Sequence, residues 1–218
     1  MKGEKNIKNK NVYMIFSIVL AFFAAVVLEA CIEQFSSDFL SGDLPWMFTF
    51  AASAAAAFFL YRDEFVDGLQ KNKKKVFLKQ LCICTLLSVL SNVVSFILRV
   101  KLLGGSTTTA NEASIEATIS QIPILAFLTT VVFAPIVEET VFRRILQTWI
   151  KSETKWHSSA VAILLSSAVF GLLHSGFSME VIPYFLDGLM LGIIYEKTDN
   201  YALIIGTHML HNLIATLL

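Results

Sequence analysis

Ile122-Pro-Ile-Leu-Ala-Phe-Leu-Thr-Thr-Val-Val-Phe-Ala-Pro135-Ile-Val-Glu138-Glu139-Thr-Val-Phe-Arg143-Arg144 begins with sixteen uncharged residues, then sets two acids and two bases within about two helical turns. About 20 mostly apolar residues are what a helix needs to cross a hydrocarbon core. Ionisable groups inside such a stretch are costly and need a physical reason. The rest of the chain repeats the pattern, with apolar runs at 12–32, 45–61, 76–98, 122–142, 158–174, 180–195 and 201–218. Hydrophobic residues make up 56% of the 218 and charged residues 16%, and mean hydropathy is +0.67. A soluble domain of this length rarely has such a composition. The expected fold is all-α, a polytopic transmembrane helix bundle of about seven spans, with a range of roughly six to eight. The runs 45–61 and 180–195 are short, which points to tilt, re-entry or local bilayer thinning.

Charge placement orients the chain, because short loops rich in Lys and Arg stay in the cytoplasm. Lys2, Lys5, Lys8 and Lys10 precede the first run; Glu33, Asp38 and Asp43 follow it without a base. Arg62, Lys71, Lys73, Lys74 and Lys75 mark the second loop, and Arg143, Arg144, Lys151 and Lys155 cluster around 143–157. The pattern predicts a cytoplasmic N-terminus and an extracytoplasmic C-terminus. The formal net charge is zero and no basic stripe interleaves with aromatics, so nucleic acid is not an expected partner. The lysine-rich start and Leu28-Glu29-Ala30-Cys31 imitate a signal peptide, but Glu29 sits badly beside a cleavage point and the run is long for one. An uncleaved anchor is expected. Cys31, Cys82 and Cys84 form no framework, and Cys82 and Cys84 lie about 200° apart on a helix, so buried apolar thiols are expected.

One compositional break divides the chain. Residues 99–121 combine a turn-like Gly104-Gly105-Ser-Thr-Thr-Thr-Ala110 with a polar stretch carrying Ile115 and Ile119 at i,i+4. The expected organisation is residues 1–98 as transmembrane helices without a specific motif, 99–121 as a loop with a short surface helix, and 122–218 as the core that holds the chemistry.

Helical geometry separates the two acids. After a kink expected at Pro135, Glu139 and Arg143 stand at i,i+4 in the favourable order, acid before base, and read as a structural pair. Glu138 lies about 100° around the helix and lacks that local cation, which makes it the candidate base. The bland alternative is a helix reaching the headgroups with both arginines snorkelling. Depth argues against it. Glu138 and His174 each lie 18 residues from Trp156 (156 − 138 and 174 − 156) in the polar turn 152–157, so antiparallel helices carry both roughly 20–25 Å from that turn. His208 and Asn212 come in along a last helix starting near Asn200, one turn apart on one face. A carboxylate, two imidazoles and an amide thus converge on one layer. His211, one turn from His208, reads as an interhelical hydrogen bond ahead of a partner of His208 or a third ligand, His157 as solvated, Asp187 as lining the cavity or capping a broken helix, and Glu29 as hydrogen-bonded within the first half or facing the headgroups.

Glu138, Glu139 and Arg143 introduced by Ala134-Pro135, then Phe170 and His174, then His208 and Asn212, resemble the motifs of the CAAX-protease and bacteriocin-processing (Abi) family of intramembrane endopeptidases. Gly188-Leu-Met-Leu-Gly192 matches that family's glycine-bearing helix, and the resemblance covers residues 121–218. It implies a protease in which Glu138 and His174 hold and deprotonate a water, while His208 and Asn212 donate to the oxyanion. Glu139 and Arg143 would be the supporting pair and Phe170 would pack behind His174.

The alternative chemistry is a metal site, because Glu138, His174 and His208 supply the His₂Glu set of a catalytic zinc with one position open. No His-Glu-x-x-His is present, and the resemblance favours the metal-free mechanism, with no cofactor. The implied substrates are peptides or lipidated peptides, either prenylated CAAX-type C-termini or bacteriocin-related chains, in a bacterial plasma membrane. Two other classes compete. A non-catalytic bacteriocin self-immunity protein would keep the helices without the chemistry, and a proton-coupled transporter would use buried Glu and His as a relay. The transporter predicts paired repeats with broken helices, and the sequence shows none.

Overall fold

A computed structural model describes residues 11–17, 38–102, 104, 108–153 and 158–217, the side chains of 38–43 and 102 excepted. The readings on Lys2 to Lys10, Glu29, Cys31, Glu33, Lys155 and His157 fall outside them. Every regular element among the described residues is a helix. Helix α1 covers 11–17, α2 Asp38–Gln70, α3 Lys74–Ile97 with a π-helical end Leu98–Leu102, and α4 Ala110–Gln121. The long α5, Pro123–Glu153, is followed by α6 Ser159–Ser175, α7 Val181–Thr198 and α8 Tyr201–Leu217.

Leu44–Gln70, Lys74–Lys101 and Pro123–Glu153 are each long and apolar enough to cross a membrane, and α6 and α8 are shorter apolar helices. On α3 a run of large side chains, among them Leu86, Leu90, Val93, Val94 and Ile97, is exposed. A surface of that kind belongs against lipid tails, and a helical membrane bundle is the architecture it demands. The run 45–61 is not a short span. It is the middle of the 33-residue α2, which carries Arg62 inside the helix and leaves the loop to 71–73. Cys84 is buried as expected, whereas Cys82 is exposed.

The chain divides into two compact units, one of residues up to 63 with 118–137, the other of 64–117 with 138–218. In the first, Met14, Met47, Ala54, Ala57, Ala126 and Val131 are buried, and Tyr61 donates to Asn11 Oδ1 at 2.6 Å. The second holds all the candidate site residues. Its core joins Cys84 of α3, Leu191 and Ile194 of α7, and Leu203 and Ile204 of α8.

Close approach of α6 to α7 rests on glycine. A Cβ on Gly188 would meet Ser167 Cα at 3.2 Å and Phe170 Cδ1 at 3.3 Å, and one on Gly192 would meet Ile163 Cγ2 at 3.1 Å. Small residues four apart let two backbones come together where no water drives packing. Asn200 starts α8 by accepting from Leu203 N–H at 3.0 Å and ties it to α2 by donating to the Gly68 carbonyl at 2.9 Å.

The structure adds local detail to α5. Around Pro135 the helix runs on through π-helical turns at Thr129–Phe133 and Glu139–Gln147. Proline offers no N–H and crowds the carbonyl four residues back, and the wider turn relieves that conflict. The Ala134 N–H accordingly reaches the Thr129 carbonyl. In the second stretch, hydroxyls satisfy carbonyls of the widened turn: Ser166 donates to Phe142 O at 2.9 Å and Thr148 to Arg143 O at 3.1 Å.

Candidate active site

Three helices of the second unit meet at Glu138. Its Oε1 lies 3.7 Å from His174 Nε2 on α6, and its Oε2 lies 3.7 Å from His208 Nε2 on α8. The Glu138 side chain is 15% exposed, so the carboxylate faces two imidazoles rather than solvent. The other edge of each ring is fixed by an acceptor. His174 Nδ1 sits 2.8 Å from the Phe170 carbonyl one turn back, which can only accept, so that nitrogen carries hydrogen. Its Nε2 therefore presents a lone pair toward Glu138 in the neutral ring.

His208 Nδ1 donates to Glu139 Oε1 at 2.7 Å. Glu139 also forms the expected pair with Arg143, Oε2 to Nε at 3.2 Å, with both side chains fully buried. The contact is an ion pair without hydrogen-bond alignment. Arg143 turns one nitrogen to the Gly188 carbonyl at 3.3 Å and stacks its guanidinium 5.1 Å from the Phe170 ring centroid. The contact from Glu139 to His208 was not legible in the sequence, where regular geometry assigns the histidines to Glu138 alone. A wider π-helical turn separates successive residues by a smaller angle, so both carboxylates reach His208. The bond has a chemical consequence. With its Nδ1–H committed to Glu139, His208 can donate from Nε2 only as an imidazolium.

Phe170 is 3% exposed and packs against Phe142 at 5.1 Å, His174 at 4.2 Å and His208 at 6.5 Å between ring centroids. Asn212 follows His208 by one turn on the same face of α8, half-buried, its carbonyl accepting from Thr216 Oγ1 at 2.7 Å. Tyr184 of α7, which sequence reasoning did not single out, stacks on His174 at 5.1 Å. The one available signal was its place four residues before Gly188, on the face that approaches α6.

His211 is an interhelical hydrogen bond, with Nδ1 2.8 Å from Ser88 Oγ and Nε2 3.4 Å from Asn92 Nδ2. Asp187 lies within the unbroken α7, so it caps no broken helix, and its Oδ1 is buried without a hydrogen-bond partner. Glu138, His174 and His208 have the donor types of a zinc site, with each Nδ1 engaged as metal-bound histidines have it.

Residues 120–214 match the family model described as type II CAAX prenyl endopeptidase Rce1-like. The UPF0177 protein YxdF of Lactococcus lactis subsp. lactis (strain IL1403) is 27% identical over 110 residues, 50% of this chain and 57% of that protein. The chain thus spans little more than half the length of this curated relative. No solved structure gives a significant match. Residues 120–214, which hold Glu138, His174 and His208, are thus similar to the type II CAAX prenyl endopeptidase Rce1-like family.

Proposed function

We propose that the chain is an intramembrane endopeptidase that hydrolyses a peptide bond in a prenylated CAAX-type or bacteriocin-related peptide, without a metal. The observation that carries the reading is the placement of Glu138 between the Nε2 atoms of His174 and His208, 3.7 Å from each. That separation is too long for a direct hydrogen bond and suits a bridging water. In the proposed reaction Glu138 and His174 orient that water and take its proton as its oxygen attacks the scissile carbonyl. The resulting oxyanion accepts hydrogen bonds from His208, as the imidazolium paired with Glu139, and from Asn212. The proton held at Glu138 then passes to the departing amine as the carbon–nitrogen bond breaks.

The basic loops support a cytoplasmic N-terminus and an extracytoplasmic C-terminus, and the Lactococcus relative supports a bacterial plasma membrane. The test is hydrolysis of a quenched-fluorescent prenylated CAAX peptide and of a bacteriocin-precursor peptide by the purified protein in detergent. Wild type is compared with Glu138→Ala and His174→Ala, each with and without chelator. Cleavage lost in both variants and indifferent to chelator is expected. Cleavage abolished by chelator and restored by zinc would replace the mechanism with a metal-dependent one. Failure to cleave either peptide, with full biological activity of both variants in the host, would replace it with non-catalytic immunity.

A further inference from the structure

We infer that Tyr184 is a positioning residue for His174, clamped from outside the catalytic helices by the N-terminus of α4. The inference rests on the hydrolytic reading for its kinetic consequence and on geometry alone for the clamp. The His174 imidazole has two aromatic neighbours. Phe170 lies at 4.2 Å between centroids and 31° between planes, and Tyr184 stacks at 5.1 Å and 27°. Phe170 belongs to the same helix as His174 and moves with it. Tyr184 is the wall supplied by a different helix, so it limits how far the ring swings about its side-chain torsions while Nδ1 stays on the Phe170 carbonyl.

A wall positions only if it is itself held. The Tyr184 hydroxyl lies 2.8 Å from Thr109 Oγ1, and Thr109 is 1% exposed. Thr109 caps α4 through a reciprocal box with Glu112: Thr109 N–H to Glu112 Oε2 at 2.6 Å, and Glu112 N–H to Thr109 Oγ1 at 3.1 Å. Arg99, from the π-helical end of α3, donates to the same Glu112 Oε2 at 3.2 Å, and Glu180 accepts from the Ala110 N–H at 3.3 Å. The start of α4 is thereby fastened to both α3 and α7, and the tyrosine hydroxyl is anchored to that fastening. The chain of contacts runs from Glu112 through Thr109 and Tyr184 to the ring that faces Glu138.

The experiment compares Tyr184→Leu, Tyr184→Phe, Thr109→Val and the Tyr184→Phe/Thr109→Val double variant in the full chain. Loss of the stack in Tyr184→Leu is expected to lower kcat on the order of 100-fold with KM changed less than about 2-fold, as for a misplaced reacting group. Tyr184→Phe keeps the stack and loses the tether, so it recovers most of that loss. The double variant is no worse than Thr109→Val, which already lacks the tether to Tyr184 and also loses the cap on the Glu112 N–H. A substrate-free readout is carbethoxylation of His174 by diethyl pyrocarbonate, followed by mass spectrometry with His211 as internal reference. Faster labelling of His174 in Tyr184→Leu, or in Thr109→Val if the leucine variant does not fold, supports the clamp even if no tested peptide is cleaved. Unchanged labelling, an unchanged kcat, or losses that add in the double variant would overturn it.

Discussion

Replacing Glu139 with leucine takes from Arg143 the carboxylate that lies against it, in a place where both side chains are fully buried. Removing one partner of a buried pair costs about 3–5 kcal/mol, because the surviving charge has lost its compensation and keeps its desolvation penalty. The Gly188 carbonyl and the Phe170 ring remain against the guanidinium and soften the loss without neutralising the charge. Arg143→Met alone strands Glu139 in the same way, with His208 as its remaining donor. Replacing both removes both charges, and apolar substitution of a whole buried pair is near neutral. What remains is the His208 Nδ1–H that had donated to Glu139, a bond to a charged group worth about 1.5–3 kcal/mol. The Glu139→Leu/Arg143→Met double variant is therefore expected to be more stable than either single variant, short of wild type by roughly that last amount. Unfolding by sodium dodecyl sulfate in mixed micelles, followed by circular dichroism, gives the four stabilities. If the two single losses simply add in the double variant, Glu139 and Arg143 are not the coupled pair that the packing describes.

Two further outcomes follow from the packing around the site. Gly188→Val puts side-chain atoms against the Ser167 backbone and the Phe170 ring; it is expected to cost about 1–3 kcal/mol in the same assay and to slow the proposed hydrolysis by displacing Phe170. A variant with wild-type stability would mean that α6 and α7 have slack at this crossing. At the end of α7, beyond the apolar run, burial acts to raise the Glu196 pKa, but bonds from Lys151 and Ser159, each 2.5 Å long, hold its carboxyl below the usual carboxylate range. A depressed carboxyl stabilises the fold above its unfolded pKa of about 4.3, and the contribution disappears as pH falls through the folded value. Wild type is thus expected to lose more stability than Glu196→Gln as pH falls from about 5 to 3, in melts at each pH. Parallel pH profiles would remove Glu196 from the acid response.

Residue type and depth were what the sequence offered, and the contacts of Glu138 with His174 and His208 agree with the depth. Equal distance in sequence from Trp156 was enough to set Glu138 and His174 at matching heights on α5 and α6, because both helices rise at the same rate per residue. The rule that acid precedes base at i,i+4 was enough to pair Glu139 with Arg143. What stayed hidden depends on backbone that departs from the regular helix. The π-helical stretch Glu139–Gln147 has no periodic signature, so nothing in the spacing showed that adjacent glutamates share His208. Tyr184 was silent for another reason: a tyrosine in an apolar run reads as packing until the ring beneath it is known to be an imidazole. The length of α2 was missed because hydropathy marks where a helix meets lipid and not where it ends. The same departure from regularity lets one side of α5 present two carboxylates to one histidine. Glu139 holds the Nδ1–H of His208, and Glu138 is left facing the Nε2 atoms of both rings. That division of labour between neighbours in sequence gives the proposed hydrolysis both a base and a charged donor, at adjacent positions on one helix.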